Sequence, residues 1–235
     1  MDKPILFSGP MVRATLNGRK TQDRRTIKRL AGFGPITEFG TSDTAGYDWH
    51  FRDACKRWHD LRDSRLRKVL PYAIGDALWV QETWQGLSFG DYLPTKSSVC
   101  EVRYAATDPC ADLDAEARGY PWRSSIHMPR EFSRLTLIVT DVRVQRLQDI
   151  SEADAVAEGV ECDSDGWRDY LMPSTQCCQT ARESYRTLWD SINGKRPGCA
   201  WADNPWVVAI SFEPHRCNID ALPAPAHQPA AQETA

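Results

Sequence analysis

Pro4-Ile5-Leu6-Phe7-Ser8-Gly9-Pro10-Met11-Val12-Arg13-Ala14-Thr15-Leu16-Asn17-Gly18-Arg19-Lys20-Thr21-Gln22-Asp23-Arg24-Arg25 reads in three parts. Residues 4 to 7 are extended and apolar. Gly9 and Pro10 open a helix, because a proline in the first turn gives up an N–H that would have no helical partner. Met11, Val12, Thr15 and Leu16 fall on one face of that helix, and Gly18 is placed to end it. A strand feeding a short amphipathic helix thus delivers Lys20 to a defined place. It lies inside a polar, cationic turn, Gly18 to Arg25, with the make-up of a binding or catalytic edge.

Further extended segments follow. Asp76 to Glu82 comes after the turn-forming Ile74-Gly75-Asp76 and has Ala77-Leu78-Trp79-Val80 as its centre. Residues 99 to 105 alternate Cys100, Val102 and Tyr104 against Glu101 and Arg103. Residues 134 to 147 alternate Leu135, Leu137 and Val139, then change phase to Val142 and Val144, which predicts a bulge near Thr140-Asp141. Trp206 to Phe212 supplies a late strand. Strands this far apart in sequence pair into a mixed or antiparallel sheet or barrel, not a doubly wound sheet. Two helices accompany them. One opens at Ser151, with Asp154 three residues on in a capping-box-like arrangement, and ends near Gly159, with Ala153, Val156 and Ala157 as its inward face. The other runs from about Thr180 to Asn193, with Ala181, Tyr185, Leu188, Trp189 and Ile192 at helical spacing, and stops at Gly194. From Pro214 the chain turns rich in Pro, Ala and Gln, so 214–235 is expected to be a disordered tail.

A length of 235 residues fits one domain with insertions, and 41% hydrophobic residues with nine tryptophans can fill its core. No apolar run approaches the roughly 20 residues needed to span a bilayer, and no secretory apolar core stands at the start. A cytoplasmic protein with reduced thiols and no membrane partner is expected. The eight cysteines form no C-x-x-C pair. Cys55 and His59, four apart, would share a helix face but lack a second ligand pair, so no metal is expected, and the vicinal Cys177-Cys178 reads as ordinary packing. The net charge of −3 divides into +7 over residues 1–70 and −10 over the rest. Basic runs span Arg13 to Arg29 and Arg52 to Lys68, the second with Trp49, Phe51 and Trp58 in or beside it. Such a surface suits phosphates and stacked bases. The alternative is a solvated helix over 51–68, balanced by Asp53, Asp60 and Asp63. Glu158 stands in the last turn of its helix, where the macrodipole disfavours a carboxylate unless a cation compensates.

Taken together, three elements resemble the ASCH domains of the PUA-like superfamily. They are the strand, helix and Gly18-Arg19-Lys20-Thr21-Gln22-Asp23-Arg24-Arg25; the strand Ile74-Gly75-Asp76-Ala77-Leu78-Trp79-Val80; and the helix ending in Glu158-Gly159. Trp122-Arg123-Ser124-Ser125-Ile126-His127-Met128-Pro129-Arg130 and Asn204-Pro205-Trp206-Val207 are similar to bacteriophage- and prophage-encoded members. The resemblance implies an α+β fold: a PUA-like mixed or antiparallel β-barrel with flanking helices. Residues 1–213 would form a single domain, with insertions near 31–70 and 161–180.

The family includes RNA-binding modules and an amidohydrolase that removes the acetyl group of N4-acetylcytidine with a Lys, a Thr and a Glu. Its lysine matches Lys20 and its glutamate Glu158. Its threonine position holds Asp23 here, and Thr21, two residues earlier, is the alternative hydroxyl. The resemblance therefore implies recognition of nucleic acid, RNA rather than DNA, or of a modified nucleoside. Arg19, Arg24, Arg25, Lys28 and Arg123 would contact phosphates, Trp84 or Trp122 would stack, and His127 would sit at the rim. Hydrolysis with Glu158 or Asp23 activating water and Lys20 or Arg25 holding the oxyanion is the enzymatic alternative. A salt-bridge cluster of Lys20, Asp23 and Glu158 holding the loop to the helix is the structural one. A phage accessory protein binding a host or virion protein is a third class. No cofactor is implied.

Overall fold

The computed structural model describes residues 2–88, 101–172, 174 and 177–222. The first strand, β1 (Asp2–Leu6), leads into α1 (Gly9–Leu16) and β2 (Gln22–Thr26). A run of short strands follows, β3 (Arg29–Leu30), β4 (Gly34–Thr41), β5 (Trp49–Asp53) and β6 (Trp58–Leu61), closed by α2 (Asp63–Val69). Then come β7 (Ala77–Gln81), β8 (Trp84–Leu87), β9 (Glu101–Tyr104) and α3 (Ala115–Arg118). The last part holds β10 (Thr136–Arg146), α4 (Glu152–Ala157), β11 (Cys162–Asp163), β12 (Gly166–Arg168), β13 (Cys177–Cys178), α5 (Ala181–Asn193) and β14 (Trp206–His215).

The central sheet has the order β1-β7-β10-β14-β2, parallel between β1 and β7 and antiparallel elsewhere. The fold is therefore mixed α+β with a largely antiparallel sheet. Sheets of four strands (β3 to β6), three strands (β11 to β13) and two strands (β8 and β9) flank it. The β10–β14 register shifts between Val139 and Asp141, so the bulge lies where the phase change placed it. It lets Val139 and Val142 both join the core on one face of the sheet, as a strict period of two would not.

That face packs with Val12 of α1, Leu66 and Val69 of α2, and Leu30, Phe51 and Leu61 of the flanking hairpins. The opposite face, near β14 and β2, is covered by α4 and α5 through Ala155, Ala181, Tyr185 and Trp189. Residues paired across an antiparallel ladder share a face. The pairs Ile210 with Asp23 and Val208 with Arg25 thus put Asp23 and Arg25 on the first face. Arg24, opposite Ala209, points to the second, as does Arg143, which also faces Ala209.

Five expectations are corrected. Residues 51–68 are not one helix but the end of β5, a turn, β6 and α2, because Phe51 and Leu61 are both needed in the core and a hairpin brings them there. Cys55 is exposed in that turn while His59 stacks on Phe51 at 4.9 Å, so the two do not share a helix face. The inward residue of α4 is Ala155, with Glu158 and Gly159 buried beyond it, whereas Val156 is 44% exposed. Ile192 of α5 is likewise exposed, at 51%. Finally, 214–222 is ordered: β14 runs to His215, and the Asn218 amide donates to the carbonyls of Arg130, Glu131 and Ser133. Residues 223–235, like Cys100, lie outside the described residues.

Candidate functional site

Gly18, in the left-handed region at φ 73°, ends α1 by letting the chain fold back on it. The N–H of Gly18 reaches the carbonyl of Thr15, and those of Arg19 and Lys20 reach the carbonyl of Ala14. The chain then meets the end of α4. Lys20 and Glu158 form an isolated antiparallel bridge, and the Thr21 N–H donates to the Ala157 carbonyl at 2.8 Å while its own carbonyl accepts from Phe212. Gly159 permits this approach. At φ 89° it has no Cβ, and a Cβ there would lie 2.9 Å from that of Lys20 and 3.0 Å from that of Ala14.

Lys20, only 2% exposed, places Nζ 2.6 Å from the Gln22 carbonyl, 2.9 Å from Glu158 Oε2 and 3.1 Å from Asp23 Oδ1. All three of its hydrogens therefore have acceptors. Arg24 stands 2.9 Å from Glu158 Oε1 and 2.9 Å from Asp154 Oδ2, while Arg25 Nε donates to Asp23 Oδ2 at 2.8 Å. Asp154 also accepts from Gln22 and Arg143, and Arg143 lies 3.1 Å from Asp141. Four cations (Lys20, Arg24, Arg25, Arg143) thus face four carboxylates (Asp23, Asp141, Asp154, Glu158), with the buried members bridging the two faces of the edge strand β2.

Protonation follows from this geometry. Burial opposes the Lys20 charge, but Glu158 and Asp23 outweigh it and hold the ammonium above its ordinary pKa. Burial likewise opposes the Asp23 charge, yet Lys20 and Arg25 hold its carboxyl below the usual range. Glu158 is pushed up by burial, a shift that Lys20 and Arg24 reduce. A charged, fully bonded lysine is an anchor and an electrostatic donor, not a nucleophile. Two carboxylates meet it, Glu158 at 2.9 Å and, at the position where the family resemblance expects a threonine, Asp23 at 3.1 Å, while the backbone of Thr21 is fixed between α4 and β14.

The remaining expected residues divide. Arg19 lies beside the cluster, donating to the Gly159 carbonyl at 3.1 Å and pairing with Glu161 at 3.3 Å. Lys28 is exposed beyond β2. Trp84, Trp122, Arg123 and His127 belong to another corner. The ring of Trp84 is buried beneath the Arg123 guanidinium at 5.0 Å and against Phe132 at 5.2 Å, and Arg118 covers Trp122 at 4.7 Å. These faces are occupied by the protein itself, and His127 is exposed on a short 3₁₀ turn. Among the described residues no hydrogen bond, ion pair or ring contact joins this corner to Lys20.

What the sequence reading missed is a cavity of about 810 Å³ opening beside Arg19. Its wall comes from the β11–β13 sheet: Glu161, Asp163, Trp167 and Arg168, with Cys162 and Cys177. Arg168 pairs with Glu161, so that carboxylate is shared between two arginines. The signal was present in Trp167-Arg168 but carried no periodicity to separate it from a loop. Among the described residues no group of three or more His, Cys, Asp or Glu is arranged to hold a metal ion, and no helix is long and apolar enough to cross a membrane. No family model, curated protein or solved structure matches this chain.

Proposed function

We propose that this chain is a PUA-like, ASCH-type recognition domain that captures a modified nucleoside or an exposed nucleic-acid base. The cavity beside Arg19 is the observation that carries this reading. It adjoins the junction of residues 18–25 with the end of α4, the place where the family resemblance expects a ligand, and it offers Trp167 as an aromatic wall with Arg19 and Arg168 as donors. Stacking thus falls to Trp167 rather than to Trp84 or Trp122. The buried, charge-balanced cluster of Lys20, Asp23 and Glu158 supports it by fixing Arg19 and the end of α4 in register. Among the described residues the five-stranded sheet keeps β1 and β2 as its edges and does not close into a barrel, so the PUA-like reading draws on its largely antiparallel pairing and on the flanking hairpins over its core.

A second reading, amide hydrolysis of an N4-acylated nucleoside, draws on one feature. Two carboxylates flank one ammonium at 2.9 and 3.1 Å, and burial raises the proton affinity of Glu158, as a general base or acid requires. One experiment addresses both. The purified protein is titrated with cytidine, N4-acetylcytidine and a short single-stranded RNA, following Trp fluorescence, and the same mixtures are analysed for released cytidine by chromatography. Saturable binding lost in Trp167→Ala supports recognition. Release of cytidine that disappears in both Glu158→Gln and Lys20→Met supports hydrolysis instead. Absence of binding and turnover alike overturns both readings.

A further inference from the structure

The basic run from Arg52 to Lys68 is divided by the fold. Arg52 pairs with Glu38, Arg57 with Asp53 and Arg67 with Asp63. Arg65 and Lys68 of α2 stand apart from these pairs. Leu66 and Val69 point into the core, while Asp63, Arg67 and Leu70 line a small cavity against β10. At about 100° per residue, Arg65 and Lys68 lie on the other flank of the helix. That flank adjoins the β3–β4 hairpin, where the Ala31 N–H donates to the Val69 carbonyl at 2.8 Å.

The hairpin brings two more cations to the same place. Ile27 and Leu30 turn inward and leave Lys28 and Arg29 exposed between them. No Asp or Glu occurs from residue 24 to residue 37. Among the described residues none of Lys28, Arg29, Arg65 and Lys68 forms an ion pair or uses its side chain in a hydrogen bond. In a chain of net charge −3, four uncompensated cations around one backbone contact are a local positive surface. Large apolar side chains that stand exposed, such as Trp58, Ile74 and Ile126, lie outside residues 24–37 and 63–70. A protein partner is held through an apolar or aromatic anchor at the centre of the contact, and this face offers none. It has no exposed aromatic to stack a base either. What it can hold is a chain of phosphates, which needs cations alone.

We propose that Lys28, Arg29, Arg65 and Lys68 form a binding face for the phosphodiester backbone of nucleic acid, contacted without regard to base sequence. The inference rests on the recognition reading above for its class of ligand, and adds the part of a polymer that the cavity beside Arg19 does not hold.

The test follows the anisotropy of a fluorescein-labelled single-stranded RNA titrated with the full chain at salt from about 50 to about 200 mM. Saturable binding is expected, with log K falling against log salt at a slope of about −3, the value for four phosphates neutralised on a single strand. Lys28→Gln with Arg29→Gln, and Arg65→Gln with Lys68→Gln, change exposed side chains only. Each pair should reduce the slope by about 1.4, two phosphates' worth, and weaken binding more than tenfold. RNA of unrelated sequence, and a DNA strand of the same length, should bind alike. Lys195→Gln, at an exposed cation beyond α5, should leave the slope unchanged. The inference is overturned if no saturable change appears at about 50 mM salt, where such binding is strongest. It is equally overturned if both double variants keep the original slope, if Lys195→Gln lowers it as much, or if polyglutamate or phosphatidylserine vesicles bind as tightly as the RNA. Cytidine carries no phosphate and reports on the cavity beside Arg19 alone. Its binding should survive in both double variants, and its failure to bind while the RNA slope holds would count against the cavity and not against this face.

Discussion

Lys20 shows what a buried cation does when each of its hydrogens is used. Replacing it by methionine keeps the stem and removes the charge, leaving Asp23 and Glu158, 3% and 5% exposed, facing each other without the ammonium. Breaking a buried pair in this way costs about 3–5 kcal/mol, more than the pair adds over an apolar replacement of both partners. The expected outcome for Lys20→Met is a loss of that size in urea unfolding, and a loss under about 1 kcal/mol would reject the anchoring role. Gly159 is the matching backbone constraint. Gly159→Ala must bear both the left-handed φ and the contacts at 2.9 and 3.0 Å, about 2–4 kcal/mol together. Gly18→Ala bears the φ alone, because nothing lies within 4 Å of its added Cβ, and should cost about 1–2 kcal/mol. Equal losses in the two variants would mean that the approach of Lys20 to Gly159 is not tight.

Elements whose side chains alternate simply were legible before the fold was known. Leu135, Leu137 and Val139 against Val142 and Val144 located both β10 and its bulge, since one extra residue is what reverses a period of two. Deleting Thr140 should therefore remove only the extra residue, leaving Val139, Asp141, Val142, Arg143 and Val144 in strict alternation with the three valines still on the core face. The expected result is a folded chain with dispersed amide resonances and a regular β10–β14 ladder; a deletion variant that does not fold would show that the local bend of the bulge is itself required. Where the reading failed, a polar group had taken an inward place. Ala155, Glu158 and Gly159 form the buried side of α4, and no apolar periodicity reveals a glutamate that is buried because Lys20 and Arg24 meet it. The hairpin of β5 and β6 was hidden for a related reason. Its turn is held by the buried Asp53, which accepts from the Arg57 backbone at 3.0 Å and pairs with His59 and the Arg57 guanidinium, so a run rich in charge looked like a solvated helix.

At the scale of the whole molecule, the two segments expected as insertions are not equivalent. Phe51, Leu61, Leu66 and Val69 of residues 31–70 belong to the same cluster as Leu78, Leu137 and Ile210, whereas among the described residues of 161–180 Trp167 and Tyr170 reach the margin of the second cluster. Replacing residues 33–60 by a short linker should abolish cooperative unfolding, while replacing 163–177 should weaken but preserve it; calorimetry of both constructions distinguishes the outcomes. The same division between buried charge and apolar core sets the response to pH. Lys20 is raised above 10.5 in the fold, and burial raises Tyr185 well above 10.0. Their contributions are intact below those ordinary values and are lost as pH climbs through the higher folded ones. Asp23, Asp76 and Asp154 lie below 3.8 in the fold, despite burial, through Lys20 and Arg25, through Lys3, and through Arg143, Gln22 and Arg24 respectively. Their contributions are present above that value and disappear as pH falls through the lowered ones. Glu158 works the other way. Raised by burial above 4.5, it binds its proton more readily in the folded chain, and acidification through that window favours the fold at this one position. Stability should thus be nearly flat from about pH 5 to about pH 10 and fall on both sides. In Lys20→Met the alkaline fall should become shallower because one of the groups responsible is gone, the others being Tyr185 and the tyrosines Tyr72, Tyr104, Tyr120 and Tyr170, all raised by burial. Urea midpoints measured across the range test this, and an alkaline limb of unchanged steepness in the variant would separate Lys20 from the pH response.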